Sequence, residues 1–110
     1  MINATIAKIE EKLAQVGTIS EEQRKELSAL LASLKNEVSA LSETQGEQAE
    51  SITRFTELSA HEATRQEKNP RLLALSLEGL RSSVSDFENS HTKLAETVNS
   101  LCHILSNMWI

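Results

Sequence analysis

Glu88 and His91 are the two residues whose types and spacing come closest to a reactive site in this sequence. Residues three apart lie on one helix face, and Glu-x-x-His pairs bind the metals of carboxylate-bridged di-iron bundles. Such a site needs more carboxylates, and Glu62 is the obvious further donor. The competing interpretation is a core or capping histidine whose ring nitrogens are satisfied by backbone or by a neighbouring acid. We favour the second interpretation and expect no bound metal or cofactor.

Two other short patterns resemble reactive motifs but lack a necessary feature. Cys102 and His103 are adjacent, so on a helix their side chains point about 100° apart and do not readily share an ion or a proton. His61-Glu62-x-x-Arg65 contains half of a zinc-protease motif, without the second histidine one turn later. We interpret the first as a small side chain that is partly buried, and the second as a solvated helix face.

The composition excludes several classes of protein. The 110 residues carry 11 Lys and Arg against 16 Asp and Glu, and the bases are scattered, which argues against binding nucleic acid or an anionic membrane surface. Glycine and proline are too scarce for an all-β fold, and there is no glycine-rich phosphate loop. No apolar run could span a bilayer, and no leader peptide opens the sequence. With a single cysteine, we expect an all-α, cytoplasmic protein.

Apolar residues recur at alternating spacings of four and three, the period of helices that pack against a neighbour. The first such row runs from Ile2 to Val16 and predicts a helix over 2–16. Gly17 is a natural end for this helix, because it can adopt the geometry that follows a helix C-terminus. Ser20 is an expected N-cap for the next helix, and Thr18 with Glu21 is the competing cap. With either cap, the next helix would fold back antiparallel.

The second row runs from Leu27 to Leu41 and keeps its phase, through several polar residues, as far as Glu62. It predicts a helix over 21–67. Gly46 leaves two alternatives open, because one glycine inside a helix costs only about 1 kcal/mol relative to alanine. The segment is either one helix, which the preserved phase slightly favours, or two helices separated near Gly46.

The last row is the longest, since eleven positions from Leu73 to Met108 keep the spacing and ten of them are apolar. It predicts a helix over 71–108, either straight or kinked near Asn89-Ser90-His91, after Pro70 has ended the preceding element. The seam of this helix supplies the expected core or interface residues, which are Leu77, Leu80, Val84, Phe87, Leu94, Val98, Leu101 and Leu105.

The predicted helices differ greatly in length. At about 1.5 Å per residue, 21–67 would extend about 70 Å, whereas 2–16 would extend about 22 Å and cover only one end of the long antiparallel, coiled-coil-like hairpin. Monomers rarely expose such an apolar seam. We therefore predict a single domain, 1–110, of three or four helices, completed as a bundle by dimerisation. The alternative is a compact monomeric four-helix bundle broken at Gly46.

Two segments near the C-terminus resemble a small bacterial family without an assigned activity, domain-of-unknown-function family 4404. These segments are Phe87–Leu94 (FENSHTKL) and Leu105–Ile110 (LSNMWI). Members of that family read F-E-x-x-H-P-x-L and end near L-x-N-M-G-I, so Thr92 replaces a proline and Trp109 a glycine. The resemblance implies a fold and no mechanism, and the missing proline favours an unbroken last helix.

The leading hypothesis for function is a non-enzymatic, self-associating structural or protein-interaction module. Trp109 is the only tryptophan and is expected to close the seam or to contact a partner. One alternative is a di-metal carboxylate and histidine bundle built on Glu88 and His91. Another is an adaptor whose exposed seam binds a helix of a different protein.

Overall fold

The computed structural model describes residues 2–15, 17 and 19–108, and within them it is helical, with no strand. The predicted all-α class is therefore confirmed, but the described helices outnumber the predicted three or four. A short 3₁₀ turn, Ser85–Phe87, follows the fourth of five α-helices. These are α1 (Ile2–Ala14), α2 (Glu21–Ser42), α3 (Gly46–Thr64), α4 (Pro70–Val84) and α5 (Thr92–Asn107).

The turn between α1 and α2 is organised by polar side chains. The Ser20 hydroxyl accepts from the Gln23 backbone N–H at 3.1 Å, and the Gln23 amide oxygen accepts from the Ser20 N–H at 3.3 Å, a complete capping box. Arg24 donates to the carbonyls of Leu13 and Ala14 at the C-terminus of α1. Helix α1 ends at Ala14 rather than at 16, and Val16 lies outside the described residues.

The unbroken helix over 21–67 is wrong, because α2 ends at Ser42 and α3 begins at Gly46. Gln45, which precedes α3, has the non-helical angles φ −137° and ψ 65°. The connecting residues from Glu43 to Gln45 are polar and exposed, so packing does not favour extending α2. The alternative of a break near Gly46 is the one that the structure contains.

The single helix over 71–108 is also wrong. Asn69 caps α4, since its side-chain oxygen accepts from the Leu72 N–H at 3.1 Å. Helix α4 ends at Val84, the 3₁₀ turn follows, and α5 starts only at Thr92. His91, with φ −135° and ψ 64°, is non-helical, so the break lies at the alternative kink position. The presence of Thr92 in place of a proline was expected to favour an unbroken last helix, and this expectation is wrong.

The helices α2 to α5 pack in cyclic order, each against the next, with α5 returning to α2, while α1 packs on α2 and α3. The radius of gyration is 13.0 Å and the longest dimension is 37 Å. A compact domain of this length has a radius of about 13 Å, so the predicted hairpin of about 70 Å is wrong. The breaks at Gln45 and His91 fold the chain back on itself.

The predicted seam is buried inside one chain. All eight of its described residues are at most 6% exposed, and four of them are completely buried. The accessible surface of 6546 Å² is close to the roughly 6100 Å² of a folded monomer of this mass. The uncovered seam that motivated dimerisation is thus absent from the described residues. Trp109, predicted to close it, lies outside them.

Candidate functional site

The predicted metal ligands Glu88 and His91 do not share a helix face. Glu88 is exposed at the end of the 3₁₀ turn, and His91 is the N-cap residue of α5. His91 Nδ1 lies 3.1 Å from the Ser90 hydroxyl, and the imidazole stands edge-on to Phe87 with ring centroids 5.3 Å apart. His91 is therefore a half-buried residue at a helix start, but its side chain makes no capping hydrogen bond.

Glu62, the third candidate ligand, lies elsewhere. It is 5% exposed near the C-terminus of α3, and its carboxylate accepts from Arg65 at 2.8 Å. Because α3 and α4 run antiparallel, Glu62 is level with the start of α4, whose 15 residues extend about 22 Å before the turn that carries Glu88. Among the described residues, no three His, Cys, Asp or Glu side chains form a group that could hold a metal.

Cys102 points into the core and the adjacent His103 points to solvent, in agreement with the angle of about 100° between neighbouring side chains on a helix. Cys102 is fully buried rather than partly buried, with Sγ 3.9 Å from the Leu77 carbonyl oxygen, and burial raises the pKa of its thiol. His103 is exposed and lies 3.2 Å from the Asn107 amide. His61 is exposed as predicted and accepts from Lys12 at 3.2 Å, whereas its neighbour Glu62 is not solvated.

Two open cavities follow the groove between α1 and α3. The larger, of about 450 Å³, is lined by residues that include Lys8, Lys12 and His61, and the smaller, of about 190 Å³, begins at Ile2. Arg54 borders both cavities, and its guanidinium donates to Glu50 at 2.6 Å. The Ser90–His91 hydrogen bond lies outside both cavities.

Three leucines on α3 and α4 have exposed side chains. Leu58 on α3 is 44% exposed, and Leu72 and Leu75 on α4 are 42% and 52% exposed. These three are the only large apolar side chains in the described part of the chain that are classed as exposed. We call the surface formed by Phe55, Leu58, Leu72 and Leu75 the α3–α4 face.

The contact between Phe55 and Gly79 sets the register of this face. The Phe55 ring lies directly over Gly79, where an added Cβ would be only 2.6 Å from Phe55 Cδ1. In an antiparallel pair with this contact, Leu58 is level with the turn that carries Leu75, and Glu62 is level with Leu72. From this register we expect the four apolar side chains of the α3–α4 face to lie along the outer edge of the α3–α4 contact, with Leu58 also lining the larger cavity beside α1.

The α3–α4 face also follows from what α3 buries. Its buried residues are mostly small, so the α3 and α4 backbones approach closely and the larger side chains Phe55 and Leu58 remain at the edge. The sequence pattern did not indicate this face, because Leu58, Leu72 and Leu75 fall outside the predicted rows. The available signal was Leu72 and Leu75 beside Leu73, which widens the apolar arc of α4 beyond one stripe.

Comparisons with protein-family models, with curated proteins and with solved structures find no match to this chain. The resemblance of the two C-terminal segments to domain-of-unknown-function family 4404 thus stays a prediction. Each helix within the described residues is too short or too polar to cross a membrane.

Proposed function

We propose that this chain is a non-enzymatic helical module that binds protein through the α3–α4 face. The first partner that we propose is a second copy of the chain. The observation that carries the proposal is the exposure of Leu58, Leu72 and Leu75, together with the Phe55–Gly79 contact, from which we infer that they share one face. Single exposed leucines are ordinary on protein surfaces, whereas a contiguous apolar patch is typical of an interaction site.

The size of the patch indicates a reversible complex. Burying the exposed half of each leucine contributes about 1 kcal/mol, so three leucines from each of two copies contribute about 6 kcal/mol. Association costs several kcal/mol in lost translational and rotational freedom, and the remainder must come from neighbouring contacts. We therefore expect a complex that forms at micromolar or higher concentration, not an obligate dimer. The buried core of the single chain agrees with this expectation.

The arrangement of the reactive side chains supports a non-enzymatic role. Cys102 is fully buried, and burial raises the pKa of its thiol, which disfavours the nucleophilic thiolate. The exposed Ser90 and the half-buried His91 share a hydrogen bond on a surface connection, outside both cavities. A nucleophile and base at a catalytic centre need a pocket that positions the substrate.

The proposal includes the architecture and location expected for such a module. The cyclic packing of α2 to α5 supports a four-helix bundle formed by one chain, with α1 covering the groove between α2 and α3. A single buried cysteine fits a reducing compartment, and we propose the cytoplasm.

Sedimentation equilibrium from micromolar to millimolar protein tests the proposal, with Leu75→Glu as the variant and Ala32→Glu as its control. Ala32 is exposed on α2, so both variants place one carboxylate on a helix surface. We expect reversible dimers for the wild type and for Ala32→Glu, and monomers for Leu75→Glu. A monomeric wild type across this range, or equal dimerisation of both variants, would contradict self-association through the α3–α4 face.

A further inference from the structure

We infer that the occupant of the α3–α4 face is a second copy of this chain, whose α4 lies antiparallel to the first α4 across a two-fold axis near Ala74 and Leu75. In this arrangement Arg71 faces the second copy's Glu78, and Glu78 faces the second copy's Arg71. The inference rests on the proposed function and adds the geometry of the complex.

Helix α4 carries a row of residues that points away from the core. Helix α4 turns Leu73, Leu77, Leu80 and Val84 toward the core. Directly opposite, at spacings of four, three and four, lies a row of exposed residues, which are Arg71, Leu75, Glu78 and Ser82. A row with this spacing stays on one side of a helix along its whole length, so a second helix can pack along it. Leu75 is the apolar centre of the row and is 52% exposed.

The charges of this row favour a second copy in antiparallel orientation. Arg71 and Glu78 flank Leu75 with opposite signs, and neither makes an ion pair in the described part of the chain. Parallel packing of two α4 helices would place arginine beside arginine and glutamate beside glutamate. Antiparallel packing reverses the order, so each arginine meets a glutamate, and the two-fold axis forms this ion pair twice. The row is therefore complementary to itself in the antiparallel direction only.

Small side chains lie on the outward side of α4. Ala74 and Ser82 are small and exposed, and helices approach to about 8 Å when the side chains at the contact are small. Leu72 and Leu58 lie on the α3 side of the row and can extend the contact beyond α4. A second copy in antiparallel orientation always presents the same Arg71-to-Glu78 spacing in reverse order. A helix of a different protein is under no such constraint, so the spacing favours a second copy.

Charge reversal tests the geometry. The variants are Arg71→Glu, Glu78→Arg and the double variant, studied by sedimentation equilibrium at low salt after thermal unfolding has shown that each is folded. Each single reversal replaces two attractive pairs with two repulsive ones and should raise the Kd about tenfold. The double variant restores both pairs with exchanged signs, and its Kd should return to within about twofold of the wild-type value. Lys25→Glu, at an exposed position on α2, is the control for net charge and should leave the Kd unchanged.

These experiments distinguish an incorrect α4 pairing from an incorrect proposed function. If the wild type dimerises and Leu75→Glu abolishes the dimer, but single reversals leave the Kd unchanged, the antiparallel α4 pairing is wrong and self-association through the face stands. Two weakened single variants whose double variant stays weak would also overturn the pairing. A wild type that is monomeric up to millimolar concentration overturns both, and a heterologous helix then becomes the occupant to seek.

Discussion

Helices α3 and α5 each bury eight residues, but they bury different kinds of side chain. In α5, five of the eight are leucine, isoleucine or valine, whereas in α3 only Ile52 is. Helix α5 therefore contributes most through apolar surface removed from water. Helix α3 contributes through close approach of its backbone to α4, because its buried residues are small.

The buried polar groups of α3 follow from the same difference. The hydroxyls of Thr53 and Thr56 donate to the carbonyls of Ala49 and Ile52, at 2.9 and 2.8 Å, so their burial leaves no donor unpaired. Ser59 differs, because its buried hydroxyl has no hydrogen-bond partner among the described residues. Of these two helices, α5 therefore supplies more of the large apolar side chains in the core. The α3–α4 side of the molecule keeps apolar side chains at its surface.

The largest expected effect tests the contribution of α5. Leu101 is completely buried in the aliphatic core, and Leu101→Ala should lower the free energy of unfolding by about 2–5 kcal/mol, through lost transfer energy and a remaining cavity. Urea unfolding followed by circular dichroism measures this. Leu58→Ala, the matched change at a residue that is 44% exposed, should cost less than about 1 kcal/mol. Equal losses in the two variants would remove the distinction between the helices.

The second prediction concerns the close approach of α3 to α4. Gly79→Ala introduces a Cβ that collides with Phe55, so the ring must leave its position over α4. In a Phe55→Ala background the collision is absent, and alanine should then stabilise the helix by about 1 kcal/mol. We expect a coupling energy of about 1–3 kcal/mol between the two substitutions in a double-mutant cycle. Additive effects would show that Phe55 does not lie over Gly79.

A smaller effect tests the unpaired hydroxyl of α3. Ser59→Ala removes a buried donor without a partner and should raise the free energy of unfolding by about 1 kcal/mol. Ser76 is the control, since its buried hydroxyl donates to the Leu73 carbonyl at 2.8 Å. The free energy of unfolding, measured with urea, should be about 1 kcal/mol lower for Ser76→Ala than for Ser59→Ala. The reverse order would mean that Ser59 is hydrogen-bonded in solution.

The smallest predicted effect is the pH dependence contributed by Cys102. Burial raises the pKa of this thiol above its ordinary value of 9.0, and Arg81 partly opposes the shift. The unfolded thiol then ionises at lower pH than the native thiol, so the contribution to stability is present below the unfolded pKa and is lost as pH rises through the native one. Unfolding free energies in alkaline solution should fall faster with pH for the wild type than for Cys102→Ala. Parallel pH curves would contradict the burial of this thiol.

The spacing of apolar residues predicted which sides of the helices are buried. The row from Leu27 to Leu41 lies wholly in the core, and so do the described members of the last row from Leu94 to Leu105. This works because a row with the helical period describes one side of a helix, and burial depends on that side alone. The cap at Ser20 was predictable for a local reason, since its hydroxyl bonds a residue three positions away.

The same spacing could not show where a helix is interrupted. The phase continues past Gly46 because Ile52, Ser59 and Glu62 all face the core, although they belong to a second helix. Phase therefore reports the direction of side chains and not the continuity of the backbone. The interruption depends on whether residues 46–64 are more stable packed against α4 or as a continuation of α2. That difference is a property of the tertiary structure.

Cross-linking at the centre of the proposed two-fold axis tests the pairing of two α4 helices. The variant is Ala74→Cys, and Ala32→Cys is the control, since both alanines are exposed. A Cys102→Ala background removes the natural thiol. With a short bis-maleimide reagent at micromolar protein, we predict rapid cross-linking of two chains through residue 74 and little through residue 32. Equal cross-linking at both positions, or none at residue 74 under conditions where the protein sediments as a dimer, would contradict pairing through α4.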